Sequence, residues 1–105
     1  MANPALTEAV YFILLSLLEP MHGYGIMQLV EKLSGGRVHL AAGTLYGALS
    51  TLLEKGWIQS TGDGADSRKK EYIITESGKR VLLGEITRLT ELVEIGKSYL
   101  GGLDA

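Results

Sequence analysis

Arg68, Lys69 and Lys70 place three positive charges side by side, the densest run of charge in the chain. A basic run of this kind suits the phosphates of a polyanion, although short charge runs also occur at solvated strand ends. Asp63 and Asp66, just before it, temper the local field. A second set is Thr44, Ala48 and Thr51, which share one helical face with Gly47. Threonine can hydrogen-bond a base edge or touch a thymine methyl, and small neighbours let a helix backbone come close to bases. The plainer alternative is a solvated face, but such faces usually carry Lys and Glu. Tyr24 and Tyr46 each offer a hydroxyl that can hold a phosphate oxygen. Core packing with a wetted tip is the other use of such a tyrosine. His22 has the same choice between a phosphate and a structural place in a turn.

The residues for other chemistries are missing. The chain has no Cys, which excludes disulfides and thiolate metal sites and fits a reducing compartment. His22 and His39 are its two histidines, and both fall in connectors. There is no HExxH, GxSxG or P-loop pattern; Gly35–Gly36 lacks the Lys and Ser/Thr that a phosphate loop needs. No enzyme, metal or cofactor is therefore expected.

A net charge of −2 argues at first against a nucleic acid, but its distribution matters more than its sum. Residues 1–36 carry −2, residues 37–80 carry +2, and residues 81–105 carry −2. The positive third contains both candidate sets. The apolar run Ala9–Leu18 is ten residues long, whereas a membrane span needs ~20. Its flank lacks the basic residues of a signal peptide, since the first Lys or Arg is Lys32. The run is expected to be a buried helix of a soluble, cytoplasmic protein with no membrane partner. The 46% hydrophobic and 21% charged fractions suit an ordered globular chain, and 105 residues suit one compact unit.

Several elements must position these residues. Asn3–Pro4 is a helix-opening pair, and the first helix should run to about Glu19, stopping at Pro20. Being apolar on nearly every side, it should lie at the centre. Met21–Gly25 reads as a turn. A short helix follows with Ile26, Leu29, Val30 and Leu33 at helical spacing, ended by Ser34–Gly35–Gly36. A third helix runs from near Ala42 to about Lys55, buries Leu45, Leu49, Leu52 and Leu53, and ends at Gly56. Trp57–Ser60 and Glu71–Ile74 read as two strands around the polar tip Gly62–Ser67. Thr75 caps a last helix, Glu76 to Leu100.

Three helices, a hairpin and a helix make a mainly α fold with a small β-hairpin wing: a winged helix-turn-helix over residues 1–75, with a C-terminal dimerisation helix over residues 76–105. The last helix carries Leu82, Ile86, Leu89, Val93, Gly96 and Leu100 in alternating steps of four and three, a heptad seam. Leu83, Leu92, Ile95 and Tyr99 add further apolar positions. Two apolar stripes call for two partners, the chain's own first helix and a second subunit. The alternative is one broad stripe packed inside a monomer, but a helix of ~25 residues is about 37 Å long and would overhang so small a domain.

The stretches His22–Gly23–Tyr24–Gly25–Ile26 and Gly43–Thr44–Leu45–Tyr46, with Leu49, Leu52, Leu53, Gly56 and Ile58, resemble the PadR family of transcriptional regulators. The basic wing before Tyr72 and the Thr75–Glu76–Ser77–Gly78 opening match as well, so the resemblance covers nearly the whole chain. Ala42 stands where the family often has Pro, and Trp57 where it commonly has an aliphatic residue. The resemblance implies a homodimeric repressor of duplex DNA, with Tyr24, Thr44, Tyr46, Ala48, Thr51, Arg68, Lys69 and Lys70 at the DNA. It also implies a small aromatic or drug-like effector bound between the dimer helices and the DNA-binding domains. Trp57 could sense such a molecule or simply be a core tryptophan. The competing reading, favoured by the acidic net charge, is a winged-helix module that binds protein instead of DNA.

Overall fold

A computed structural model describes residues 5–61 and 70–101. In chain order the elements are α1 (Glu8–Ser16), β1 (Met21–His22), α2 (Gly23–Leu33), α3 (Ala42–Lys55), β2 (Ile58–Thr61), β3 (Glu71–Ile74) and α4 (Glu76–Leu100). The fold is a mainly helical winged helix, as the element order predicts.

The first helix opens later than expected and ends earlier. Thr7 is its N-cap, its side-chain oxygen accepting from the Val10 N–H at 3.1 Å. That satisfies one of the amides a helix start leaves unpaired. Asn3 and Pro4 lie outside the described residues. The helix stops at Ser16, and Leu17–Glu19 form a turn. Nor is α1 wrapped on every side. Ile13, Leu14, Ser16 and Leu17 are buried, while Tyr11, Phe12 and Leu15 are only half-buried. Two short helices, the first turns of α4 and a small sheet do not supply enough surface to enclose a helix completely.

The sheet has three strands in the order β1–β3–β2, all antiparallel, where two were expected. Met21 and His22, which read as a turn in sequence, pair with Tyr72 and Glu71. The Ile74 N–H also donates to the Leu17 carbonyl at 2.8 Å, which ties the sheet to the end of α1.

The core gathers Ile13, Leu14 and Leu17 of α1 and its end, Ile26 and Val30 of α2, Leu45, Leu49 and Leu52 of α3, and Ile58, Tyr72 and Ile74 of the sheet. Val81 and Leu82 close it from the first turns of α4. Full burial of one such aliphatic side chain contributes about 1.5–3 kcal/mol. Gly56 ends α3 with φ 75°, a left-handed conformation that glycine adopts without steric cost. Thr75 then links three pieces: its hydroxyl donates to the Gly56 carbonyl at 2.7 Å and accepts from the Gly78 N–H at 3.1 Å, and its own N–H donates to the Trp57 carbonyl.

Among the described residues Glu85 is the one charged side chain that is buried, 2% exposed. It accepts the Leu6 N–H at 3.1 Å and two bonds from the Arg88 guanidinium at 2.7 and 2.8 Å. Arg88 hydrogen bonding, opposed by burial and reinforced by the Leu6 N–H, holds its pKa down at about 2. The carboxylate therefore pins the segment before α1 onto α4.

Candidate nucleic-acid interface

The helix-turn-helix is α2, the connector Ser34–Ala41 and α3. His22 precedes α2 in extended conformation and gives no side-chain cap, so the first amides of α2 have no side-chain partner from it. Tyr24, in the first turn, is 65% exposed. Tyr46, in the second turn of α3, is 43% exposed and lies against Gly23. A Cβ at Gly23 would overlap the Tyr46 hydroxyl and come 2.8 Å from its Cζ. Two phenol groups thus flank an N-terminus whose partial charge is positive. Behind them burial pushes the Tyr72 phenol above its ordinary pKa, and nearby Tyr46 adds to the effect.

The outward face of α3 follows from its inward one. Leu45, Leu49 and Leu52 are buried, so Gly43, Thr44, Gly47 and Ser50 point away. Nothing lies within 4 Å of where a Cβ would stand on Gly43 or Gly47. Thr44 is exposed between them. The result is an open helix surface of small side chains.

Of the other expected α3 residues, Thr51 is exposed on this same face and Ala48 is not. Ala48 is half-buried and packs against the core, and Thr51 donates its hydroxyl to the Gly47 carbonyl at 3.2 Å. Both line a hollow between α3, the start of α1 and Trp57. Leu53, expected in the buried stripe, is exposed instead. It lies far enough around α3 from Leu45 and Leu49 to miss the core.

Of the basic run, Lys70 is half-buried just before β3, while Arg68 and Lys69 lie outside the described residues. Trp57 is half-buried against the core, with the Lys55 ammonium 5.1 Å from its ring centroid. Sequence reasoning misses the contact of Gly23 with Tyr46 and the placement of Lys55 over Trp57. The Gly23–Tyr24–Gly25 triplet is the available signal for the first, and the Lys–x–Trp spacing for the second.

Among the seam residues of α4, Leu82 faces its own core and is 5% exposed. Ile86, Leu89, Val93 and Leu100 are exposed, and Gly96 is half-buried with open space above it. Leu92, Ile95 and Tyr99 are exposed too. The half of α4 that follows Glu85 leaves the core and carries a broad bare apolar face. No helix of the described residues is long and apolar enough to cross a membrane. No group of His, Cys, Asp or Glu among them could hold a metal ion.

An open α3 face beside two tyrosines, backed by a three-stranded sheet, defines a winged-helix regulator. Residues 13–83 match the model of the transcriptional regulator PadR-like family, and the chain belongs to that family. Among solved structures it is similar to a PadR family transcriptional regulator from Eggerthella lenta, with 27% identity, 90% of this chain and 82% of that one covered, and a TM-score of 0.70. A transcriptional regulator from Clostridium thermocellum shares the fold at 19% identity, TM-score 0.70, with 90% of each chain covered. So does BpsR of Bordetella bronchiseptica, whose DNA binding is regulated by 6-hydroxynicotinic acid, at 21% identity and TM-score 0.66, over 99% of this chain and 72% of that one. The sequence is also 33% identical over 73 residues to an uncharacterised 37.1 kDa protein in a transposon of Streptomyces fradiae. The match takes in 70% of this chain and spans a fifth of that relative.

Proposed function

We propose that this regulator is a cytoplasmic repressor that binds an inverted-repeat operator in duplex DNA as a homodimer. The single observation that carries the reading is the bare face of α3. Gly43, Thr44 and Gly47 leave the helix backbone uncovered, and a major groove about 12 Å wide admits a helix. Tyr24 and Tyr46, with the α2 N-terminus, then hold phosphates and fix the register. Thr51 and Ala48 sit at the flank of the contact. Arg68, Lys69 and Lys70 reach the backbone from the wing.

Residues 1–75 serve as the DNA-binding part and residues 76–105 as the dimerisation part. The bare positions Ile86, Leu89, Val93, Gly96 and Leu100 pack on the same helix of a second copy. Leu82 supports them from inside its own protomer. A two-fold dimer presents its readers ~34–36 Å apart, one helical turn of DNA. A small aromatic or drug-like effector releases the operator. The precedent is BpsR, which shares the fold and whose DNA binding a small aromatic acid regulates.

The net charge of −2 keeps a second reading in view, a winged helix that docks on protein. Titrating duplex DNA at several salt concentrations separates the two. Counterion release gives a steep fall in affinity with salt, with a log–log slope near −0.9 per phosphate neutralised. An affinity that is negligible even at low salt would favour the protein-binding module.

A further inference from the structure

We propose that α3 recognises C5-methyl groups in the major groove, those of thymine and equally of 5-methylcytosine, through the methyls of Thr44 and Thr51. The inference rests on the DNA-reading role of α3 and names what that helix recognises.

The first three turns of α3 hold none of the side chains that pair with a base through two hydrogen bonds. Arg or Lys reads guanine in this way, and Asn or Gln reads adenine. From Ala42 to Leu53 the helix has no Arg, Lys, Asn, Gln, Asp or Glu. Its charged residues are Glu54 and Lys55, in the last turn. The Lys55 ammonium is 5.1 Å from the Trp57 ring centroid. Glu54 is exposed one turn beyond Ser50, and its charge keeps that end of the helix away from the phosphates.

What remains is a face of hydroxyls, methyls and bare backbone. Thr44 and Thr51 are both exposed on one edge of it, two helical turns or ~10 Å apart. Gly47 lies between them, with nothing within 4 Å of where its Cβ would stand. A side chain as short as threonine reaches a base only where the backbone itself comes close, and Gly47 permits that approach. Base pairs stack ~3.4 Å apart, so for a helix lying along the groove the two threonines fall about three base pairs apart in one half-site.

Hydroxyls alone discriminate poorly, since one hydroxyl can donate to one base edge or accept from another. The Thr51 proton is moreover committed to its own helix, donated to the Gly47 carbonyl at 3.2 Å. The methyl is then the group that carries sequence information. Thymine presents a C5-methyl in the major groove, where cytosine has only a hydrogen. 5-Methylcytosine presents the same methyl at the same place. Methylation of cytosine at these positions therefore adds a contact that plain cytosine lacks.

The test uses the full chain and the duplex most enriched from a random pool. Half-site thymines are replaced one at a time by uracil and, in a second pair, by cytosine or 5-methylcytosine opposite guanine. Thymine against uracil, and 5-methylcytosine against cytosine, each differ by one methyl alone. Loss of a buried methyl is expected to weaken binding about fourfold, with the same ratio in both pairs. Thr44→Ser and Thr51→Ser keep the hydroxyl and lose the methyl, and both positions are exposed, so the variants stay folded. Each variant should bring the ratio at its own base close to one and bind the uracil duplex as the parent does. A merely structural threonine would lower affinity for every duplex and leave the ratios unchanged. Parity within either pair in the parent protein, or ratios that the serine variants preserve, overturns the inference and leaves the DNA-reading role standing. A chain that retains no duplex from the pool overturns that role, and the inference with it.

Discussion

The Tyr46 hydroxyl lies directly over Gly23, so the second turn of α3 rests on the first residue of α2 with no room for a side chain between them. This packing fixes how the two helices of the DNA-reading motif are set against each other. It also holds the Tyr46 phenol at the α2 N-terminus, beside Tyr24.

Gly23→Ala therefore forces Tyr46 to move. Overpacking of this kind costs about 1–3 kcal/mol. The expected outcome is a lower denaturation midpoint and weaker binding to all DNA sequences, since the displaced hydroxyl is assigned to phosphate. Adding Tyr46→Phe to the glycine variant should change DNA affinity little, because the hydroxyl is already out of place. Paired denaturation and DNA titrations of the single and double variants check this.

The wing and the reader should fail differently. Changing Arg68, Lys69 and Lys70 to Ala is expected to weaken binding to every sequence and to flatten the salt slope by about 0.9 for each phosphate that is no longer neutralised. Thr44→Ala should instead alter the preference among half-site variants by ~1–3 kcal/mol. Titrations against a small panel of half-sites at two salt concentrations read both effects. An unchanged slope in the wing variant would remove the wing from the mechanism.

Much of this arrangement is legible in sequence because local signals mark it. Gly56 and the Thr75–Glu76 pair punctuate α3 and α4, and both helices run as those residues predict. The β1 strand has no such mark. Two residues have no periodicity, and Met21 and His22 become a strand only because β3 lies beside them. The heptad seam of α4 misplaces Leu82 for a related reason. One stripe serves the chain's own core before Glu85 and faces outward after it, and the pattern does not change where the core ends. Ala48 and Thr51 share a face with Thr44 on a helical wheel. Thr44 and Thr51 stay exposed while Ala48 is half-buried against the core, a tertiary fact that spacing does not encode. Glu85 counts in the sequence only as one negative charge of an acidic last quarter. Its burial comes from the Leu6 segment folding over it.

Glu85 gives a prediction in pH. Its carboxyl ionises near 4.5 when unperturbed and at about 2 in the folded chain. A depressed value means that the unfolded chain binds the proton first as pH falls. The stabilisation is complete above about pH 4.5 and is lost progressively down to about pH 2. Glu85→Gln should be less stable than the parent near neutrality, and the gap should narrow across that window. Urea denaturation of both proteins at several pH values measures it. A gap that is constant with pH would mean that the ion pair with Arg88 does not act in this way.

The exposed half of α4 tests the dimer. Ile86 and Leu89 are exposed in the protomer, so Asp at both positions should leave the fold intact. In a two-fold interface the same changes bury like charges against each other. Sedimentation is expected to show a folded monomer, with specific DNA binding abolished because the readers no longer keep a fixed spacing. A double variant that remains dimeric and bound to DNA would place the interface elsewhere.

The most direct measurement is to select, from a random pool of duplexes, those the protein retains at physiological salt, to sequence them, and to count the chains bound to each. The account predicts an enriched inverted repeat whose half-sites are centred about 10–10.5 base pairs apart, or a multiple of that, with two chains per duplex. Retention without a shared sequence, or one chain per duplex, would contradict it.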